Sequence, residues 1–480
     1  IIVPNKYRKS FENIFNWLDK RPCARKRGLG TQLQFDRNWI IESLSDSTIY
    51  MSFYTIAHHI KYYRIQPEQL IPEFFDYVFL GKSNPSNLSK KTDINIEWLE
   101  TMRNEFLYWY PVDHRHTAIM HISNHLSFFI FHHVAIFPEK YWPKIVTLIE
   151  PVIVAGQKMG KSKGNIIPLA QIQTKYSADL FRFYISHTAD FGVKVDWREN
   201  EVQSVKNHII RFYNFISKNF EKIKNKNKDN KEIKSKFAQF ILSSCTKKFI
   251  NAENALKEFN LRKYLQISFY EIFNILQDFQ KTHSSENEII EVYRILFPSW
   301  IQILSPAIPH ICEELWELFG NKKFISNTPW KPFNDQYVYE ELEQEYLLIK
   351  DLLNDIINIK NAIKKEVLDK IFLYTAPKWK FDVQKIIISK KGVFKEILTE
   401  CKKDLSLIQN KQLVNFIKWE INNRNWEKKY QLFDEIEILN EYKNYLEKKL
   451  DTTIIINSKF DPENKASKAI PNKPAIYIQT

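Results

Sequence analysis

The chain has 480 residues, 44% of them hydrophobic and 15% aromatic, enough apolar material for about three cored domains at roughly 150 residues each. No apolar run approaches the length of about 18 residues that a membrane span needs, and the first residues lack the pattern of a secretory signal, so a cytoplasmic chain is expected. A net charge of +14 favours a polyanionic partner, while four scattered cysteines without a C-x-x-C pair give no basis for a disulfide framework or a zinc ribbon.

In chain order, residues 1–30 are basic and end in R-K-R-G-L-G, and residues 31–115 mix short helical patterns with loops. The apolar spacing over residues 116–136 predicts a helix closed by Pro138. Residues 145–154 carry β-branched runs interrupted by Pro151, which predicts two short strands or a hairpin around that proline. Pro168 then suits the first turn of a helix running towards Thr188. Residues 200–365 repeat apolar positions at three and four and predict a helical bundle. Within it, the basic low-complexity stretch 221–236 reads as a solvated connection. From about residue 366 the pattern changes to strands at 371–374, 453–456 and the tail A-I-Y-I-Q-T, flanking helices, as in a small α+β domain.

Residues 158–165, K-M-G-K-S-K-G-N, stand out. Three lysines, two glycines and a serine in a mobile loop suit a polyphosphate, because ammonium groups bind phosphate as point charges and exposed N–H groups add donors. Only nine glycines occur in the chain, where average usage would give about 34. Three of them, Gly156, Gly160 and Gly164, fall in or beside this loop.

Together with the strands before it and the Y-S-A-D-L-F-R-F-Y-I helix after it, the loop resembles the K-M-S-K-S region of class I aminoacyl-tRNA synthetases. The segments C-A-R-K-R-G-L-G-T from Cys23, E-S-L-S-D-S-T-I-Y-M-S-F-Y-T-I-A from Glu42, N-H-L-S-F-F-I-F-H-H-V-A-I-F-P from Asn124 and V-D-W-R-E from Val195 are similar to the leucyl-tRNA synthetases of the archaeal and eukaryotic-cytosolic type. So are P-H-I-C-E-E-L-W from Pro309, T-P-W-K-P from Thr328 and the tail from Pro462. The resemblance implies an incomplete Rossmann-like α/β catalytic part over 1–199, an all-α anticodon-binding-type bundle over 200–365 and a small α+β tRNA-contacting domain over 366–480.

It also implies roles. Lys158, Lys161 and Ser162 would be catalytic, meeting the charge that develops on the departing pyrophosphate, with Met159, Gly160 and His116 also at the ATP. Serine is usual where Gly160 stands, so weaker ordering of the loop is expected. The family's adenylate-binding helix maps onto His116, Thr117 and His121, and Ser47 and Tyr50 would approach leucine. Arg25, Lys26, Arg27, Lys473 and Ile478 would touch tRNA(Leu), although a solvated turn and an edge strand account for them equally well. Magnesium would arrive with ATP as a substrate complex, and no protein-held metal is expected, because the histidines at 114, 116, 121 and 125 lack a carboxylate to complete a set.

No H-I-G-H-type motif and no editing insertion occur, and the chain opens on Ile1. The expectation is the C-terminal half of a longer synthetase, working with an N-terminal half or subunit that carries those parts and inactive without it. Two rivals are a non-catalytic structured-RNA-binding descendant, which has no use for intact loop lysines, and a synthetase for isoleucine or valine, against which E-S-L-S-D-S-T and the tail argue.

Overall fold

The computed structural model describes residues 1–225, 232–330, 335–365, 367–423 and 432–479. It is mostly helical with small sheets, and it divides into two compact units. The first comprises Ile1–Lys175, Tyr184–Gln203 and Phe259–Arg262, the second Tyr176–Phe183, Ser204–Glu258 and Lys263–Thr480. No helix of the described residues is long and apolar enough to cross a membrane.

The first unit carries strands β1 (Ile2–Val3), β2 (Ala24–Arg25), β3 (Ile40–Ile41), β4 (His114–Ala118), β5 (Ile145–Ile149), β6 (Ile153–Val154), β7 (Gln157–Lys158) and β8 (Asp196–Trp197). β1, β5 and β4 form a parallel sheet with β5 in the centre, in register from His114 opposite Ile145 to Ala118 opposite Ile149. A central parallel strand is covered on both faces, which explains why I-V-T-L-I has almost no polar member. Val146 and Leu148 pack with Phe11, Leu126 and Phe129, which come from the helices before and after β4. A second core joins the helices Tyr50–Tyr62 and Ile96–Trp109 through Ile56, Leu99, Met102 and Phe106.

Three expectations change here. The predicted helix over 116–136 begins as strand β4, passes through one tight turn (Ile119–His121) and one wide π turn (Ile122–Leu126), and becomes α-helical only at Ser127–Ile136. Pairing with β5 overrides the local periodicity, and His116 and Thr117 therefore sit on a strand. The two strands around Pro151 exist but do not form a hairpin with each other. β5 lies in the parallel sheet, whereas β6 pairs with β7 and β8. The single helix expected after Pro168 is two, Leu169–Lys175 and Ala178–Thr188, separated at Ser177, whose φ of 79° no α-helix accepts.

The second unit holds the long helices Lys236–Lys257, Ile272–Thr282, Glu286–Leu304 and Glu340–Ile363, in the stretch where the apolar spacing is helical. Phe212, Phe269, Phe273 and Trp300 interlock at its centre with ring centroids 4.9–6.4 Å apart. The Trp300 indole N–H donates to the Ser268 carbonyl at 2.6 Å, so the buried polar edge is satisfied. Residues 226–231, at the centre of the basic connection, and Lys331 and Pro332 of T-P-W-K-P lie outside the described residues. The last part of the unit is built on a sheet of β9 (Lys370–Tyr374), β10 (Thr453–Ile456) and β11 (Ala475–Gln479). β9 is central, parallel to β10 and antiparallel to β11, in agreement with the predicted strands.

Candidate functional site

The lysine loop grows out of a hairpin. β6 and β7 pair antiparallel through a turn at Ala155 and Gly156, with φ of 47° and 77°. Two consecutive left-handed residues are what a two-residue hairpin requires, and glycine supplies the second without steric penalty. The Gly156 N–H donates to Asp196 Oδ1 at 2.9 Å, from the strand β8 that pairs parallel with β6. That bond, followed by the Arg198 guanidinium at 2.8 Å, holds the Asp196 carboxyl below its usual range. The Tyr184 hydroxyl donates to the Asp196 carbonyl at 2.8 Å, and its ring meets the buried Trp197 edge-on. The V-D-W-R-E segment thus braces the base of the loop, a role the sequence motif signalled only by its presence.

Beyond Lys158 the chain makes one tight turn, Lys161–Lys163, and leaves it through Gly164 at φ 64°. Asn165 closes the loop. Its Oδ1 accepts the Gly160 N–H at 2.9 Å and its Nδ2 donates to the Lys158 carbonyl at 3.3 Å. This one side chain clamps the loop from two sides. It also spends the Gly160 N–H inside the loop, where it is not offered to a phosphate. Gly160 itself is extended, with φ −157°, and a Cβ there would lie 3.8 Å from Lys163 Cγ and 3.9 Å from Ser162 Oγ. Serine would fit this position, and the conformation does not depend on glycine's freedom.

Lys158, Lys161, Ser162 and Lys163 are exposed, Met159 is half-buried, and none of the three ammonium groups has an ion-pair partner among the described residues. Three like charges on one braced loop raise the local positive potential, which attracts anions.

The other residues singled out in the sequence lie around the parallel sheet. His116 Nδ1 and His114 Nε2 both contact the hydroxyl of the fully buried Thr147, at 2.7 and 2.6 Å. His116 also packs on Phe191 with centroids 5.2 Å apart. Thr117 follows on β4. His121 and His125 face each other across the wide turn at 6.2 Å, and His125 engages the Ser47 backbone. Burial and the Arg115 charge keep His125 below the usual histidine range. Ser47 and His121 therefore both neighbour His125, and Tyr50 begins the next helix with its ring edge-on to Tyr54 at 4.7 Å. His125 was missed as a neighbour of Ser47 because the wide turn that aims it leaves no periodic signal.

Among the basic residues, Arg25 turns back on its own segment, donating to the Leu29 carbonyl at 2.7 Å and lying 3.8 Å from Glu42. Lys26 sits over Trp39 at 4.9 Å, and Arg27 is exposed. Lys473 lies 3.8 Å from Asp355 with both side chains well exposed, a weak pair in water. Ile478 is paired with Ile371 on the outer strand β11.

Residues 94–220 match the family model "tRNA synthetases class I (M)", and residues 238–371 match "Anticodon-binding domain of tRNA ligase". The leucine–tRNA ligase of Staphylothermus marinus is 41% identical over 484 residues, covering 99% of this chain and 49% of that protein. That of Pyrococcus furiosus is 40% identical over 488 residues, covering 100% and 50%. Over its whole length the chain is similar to curated leucine–tRNA ligases. It spans about half the length of the curated relatives it matches. The leucine–tRNA ligase of Methanococcus maripaludis is 38% identical over 99% of the chain. A solved ternary complex of the Agrobacterium radiobacter K84 leucyl-tRNA synthetase with tRNA and LeuAMS is 20% identical, covers 50% of this chain and 30% of that one, and superposes with a TM-score of 0.42.

Proposed function

We propose that this chain supplies the lysine loop and tRNA-contacting parts of a cytoplasmic leucine–tRNA ligase, which joins leucine to ATP and passes the leucyl group to tRNA(Leu). In the first step a leucine carboxylate oxygen attacks the α-phosphorus of ATP, and the bond to the leaving pyrophosphate breaks. Negative charge grows on the leaving oxygens, so cations placed there in advance lower the barrier. Lys158 and Lys161 fill that role, and Ser162 donates a hydrogen bond to a phosphate oxygen. Magnesium comes with ATP as part of the substrate. The three-stranded parallel sheet belongs to a nucleotide-binding fold, with His116, Thr117 and His121 towards the adenylate and Ser47 and Tyr50 towards leucine. The three proposed domains are 1–199, 200–365 and 366–480, the last two serving the RNA through Lys473 and its neighbours, with Arg25, Lys26 and Arg27 at the acceptor end.

The observation that carries this reading is the pair of exposed, unpaired ammonium groups of Lys158 and Lys161 on a turn clamped by Asn165 and Asp196. A structured-RNA-binding protein has no need of such a brace. The test is Lys161→Ala in the whole enzyme that contains this chain. Leucine-dependent ATP–pyrophosphate exchange should fall by about a hundredfold, the size of losing one transition-state contact, while tRNA affinity changes little. Equal loss of both would reject the assigned role, and exchange driven by isoleucine or valine in place of leucine would reject the substrate.

A further inference from the structure

Away from the lysine loop, His58 and His59 lie near the end of the helix Tyr50–Tyr62 and meet Glu105 from the helix Ile96–Trp109. One ligating atom from each of the three lies within 4.8 Å of the others. The two imidazole rings are 3.9 Å apart, centroid to centroid. His59 Nε2 is 3.8 Å from Glu105 Oε2, too long for a hydrogen bond, and it is enclosed without a hydrogen-bond partner among the described residues. An enclosed ring nitrogen in that state is an anomaly that a bound group would relieve.

The surroundings orient the set. Trp109 donates its indole N–H to Glu105 Oε1 at 2.9 Å, which fixes the carboxylate and leaves Oε2 towards His59. On its other side His59 stacks on Tyr63 at 5.7 Å, and Tyr63 stacks on Trp98 at 4.5 Å with an interplanar angle of 4°. The helices themselves are locked by Ile56, Met102 and Phe106 in one core. A carboxylate held by an outer hydrogen bond and a ring held by stacking are what a metal site needs behind its ligands.

We propose that His58, His59 and Glu105 hold a zinc-type divalent ion, with a fourth position open to water on the side of the exposed His58. Two imidazoles and one carboxylate are the donor set of three-ligand zinc sites, whereas magnesium and calcium require oxygen ligands. Ligands on such an ion lie roughly 3.3 Å apart at bond lengths of about 2.0–2.1 Å, so the set closes by up to about 1.5 Å.

The experiment is to strip the whole chain with a chelator and titrate it with cobalt(II), then zinc. One equivalent of cobalt should bind with the visible absorption of a four-coordinate site, quench the neighbouring tryptophan fluorescence, and be displaced by zinc. His58→Ala and Glu105→Gln should each weaken binding at least about tenfold. The glutamine can still accept from Trp109, so its effect reports the lost ligand and not a disturbed fold. Absence of saturable binding near equimolar metal, or binding unchanged in both variants because the ion sits on His114 and His116, overturns the proposal. Neither outcome bears on the lysine loop, which is read by exchange kinetics.

Discussion

Asn165 and Gly160 are joined across the lysine loop by a hydrogen bond of 2.9 Å, donated by the Gly160 N–H to the side-chain oxygen. Asn165 Nδ2 donates to the Lys158 carbonyl at 3.3 Å, so this one side chain ties together two points of the segment that carries the ammonium groups. Asn165→Ala removes two hydrogen bonds worth about 1 kcal/mol each. If the loop is used as proposed, adenylate formation by the whole enzyme should fall by roughly tenfold or somewhat more, with tRNA binding and the unfolding temperature nearly unchanged. Pyrophosphate exchange at wild-type rate would show that the clamp does not set the lysines.

Gly160 is expected to loosen the loop, and its extended backbone is one that serine adopts as well. Gly160→Ser should be accepted without strain and should stiffen the unfolded chain slightly, by up to about 1 kcal/mol. The KM for ATP should hold steady or fall. Gly164→Ala places a side chain at φ 64°, where an L-residue is strained by about 1 kcal/mol, and should raise KM. The idea fails if the serine variant is the more damaged of the two.

How far the sequence could be read depended on the range of the contact that decides each element. The loop was legible because lysine and glycine crowd into eight residues. Its brace was not, since Asp196 lies 40 residues beyond Gly156 and enters only through the β6–β8 pairing. The long helices of the second unit and β9, β10 and β11 were legible because their apolar spacing is local and regular. β4 was missed because H-R-H-T-A has no strand-like alternation of its own, and only registry with the apolar β5 makes it a strand. His58, His59 and Glu105 carry no motif at all, since two helices must pack before they meet.

Asp179 is buried beside the first turn of the helix Pro309–Leu318, accepting from the Ile311 N–H at 2.8 Å and from His310 Nδ1 at 2.8 Å. The carboxylate from Y-S-A-D-L thus caps the helix that opens P-H-I-C-E-E-L-W. Asp179→Ala strands a buried N–H and should lower stability by about 2 kcal/mol. Asp179→Asn keeps an acceptor and should lose about half as much. Urea unfolding followed by far-ultraviolet circular dichroism ranks the variants, and equal midpoints for all three proteins would refute the cap.

Glu435 provides a pH test in the last part of the chain. It starts the helix Glu435–Leu450, is buried, and accepts the Ala376 N–H at 2.9 Å. Burial pushes its carboxyl up to about 7 from an ordinary 4.5, although the facing backbone N–H groups of Ala376, Asn472 and Lys473 offset part of that rise. The folded state therefore binds more protons than the unfolded state between these two values. Stability contributed by this group is fully present below about pH 4.5, is lost as pH rises towards 7, and is level above that. A difference of this size corresponds to about 3 kcal/mol. Glu435→Gln cannot ionise and keeps the acceptor for Ala376. Its urea midpoint should match wild type near pH 4, exceed it by a margin that grows up to about pH 7, and hold that margin to pH 8. A constant gap across that range would mean that Glu435 is already charged when folded, held by its three backbone donors.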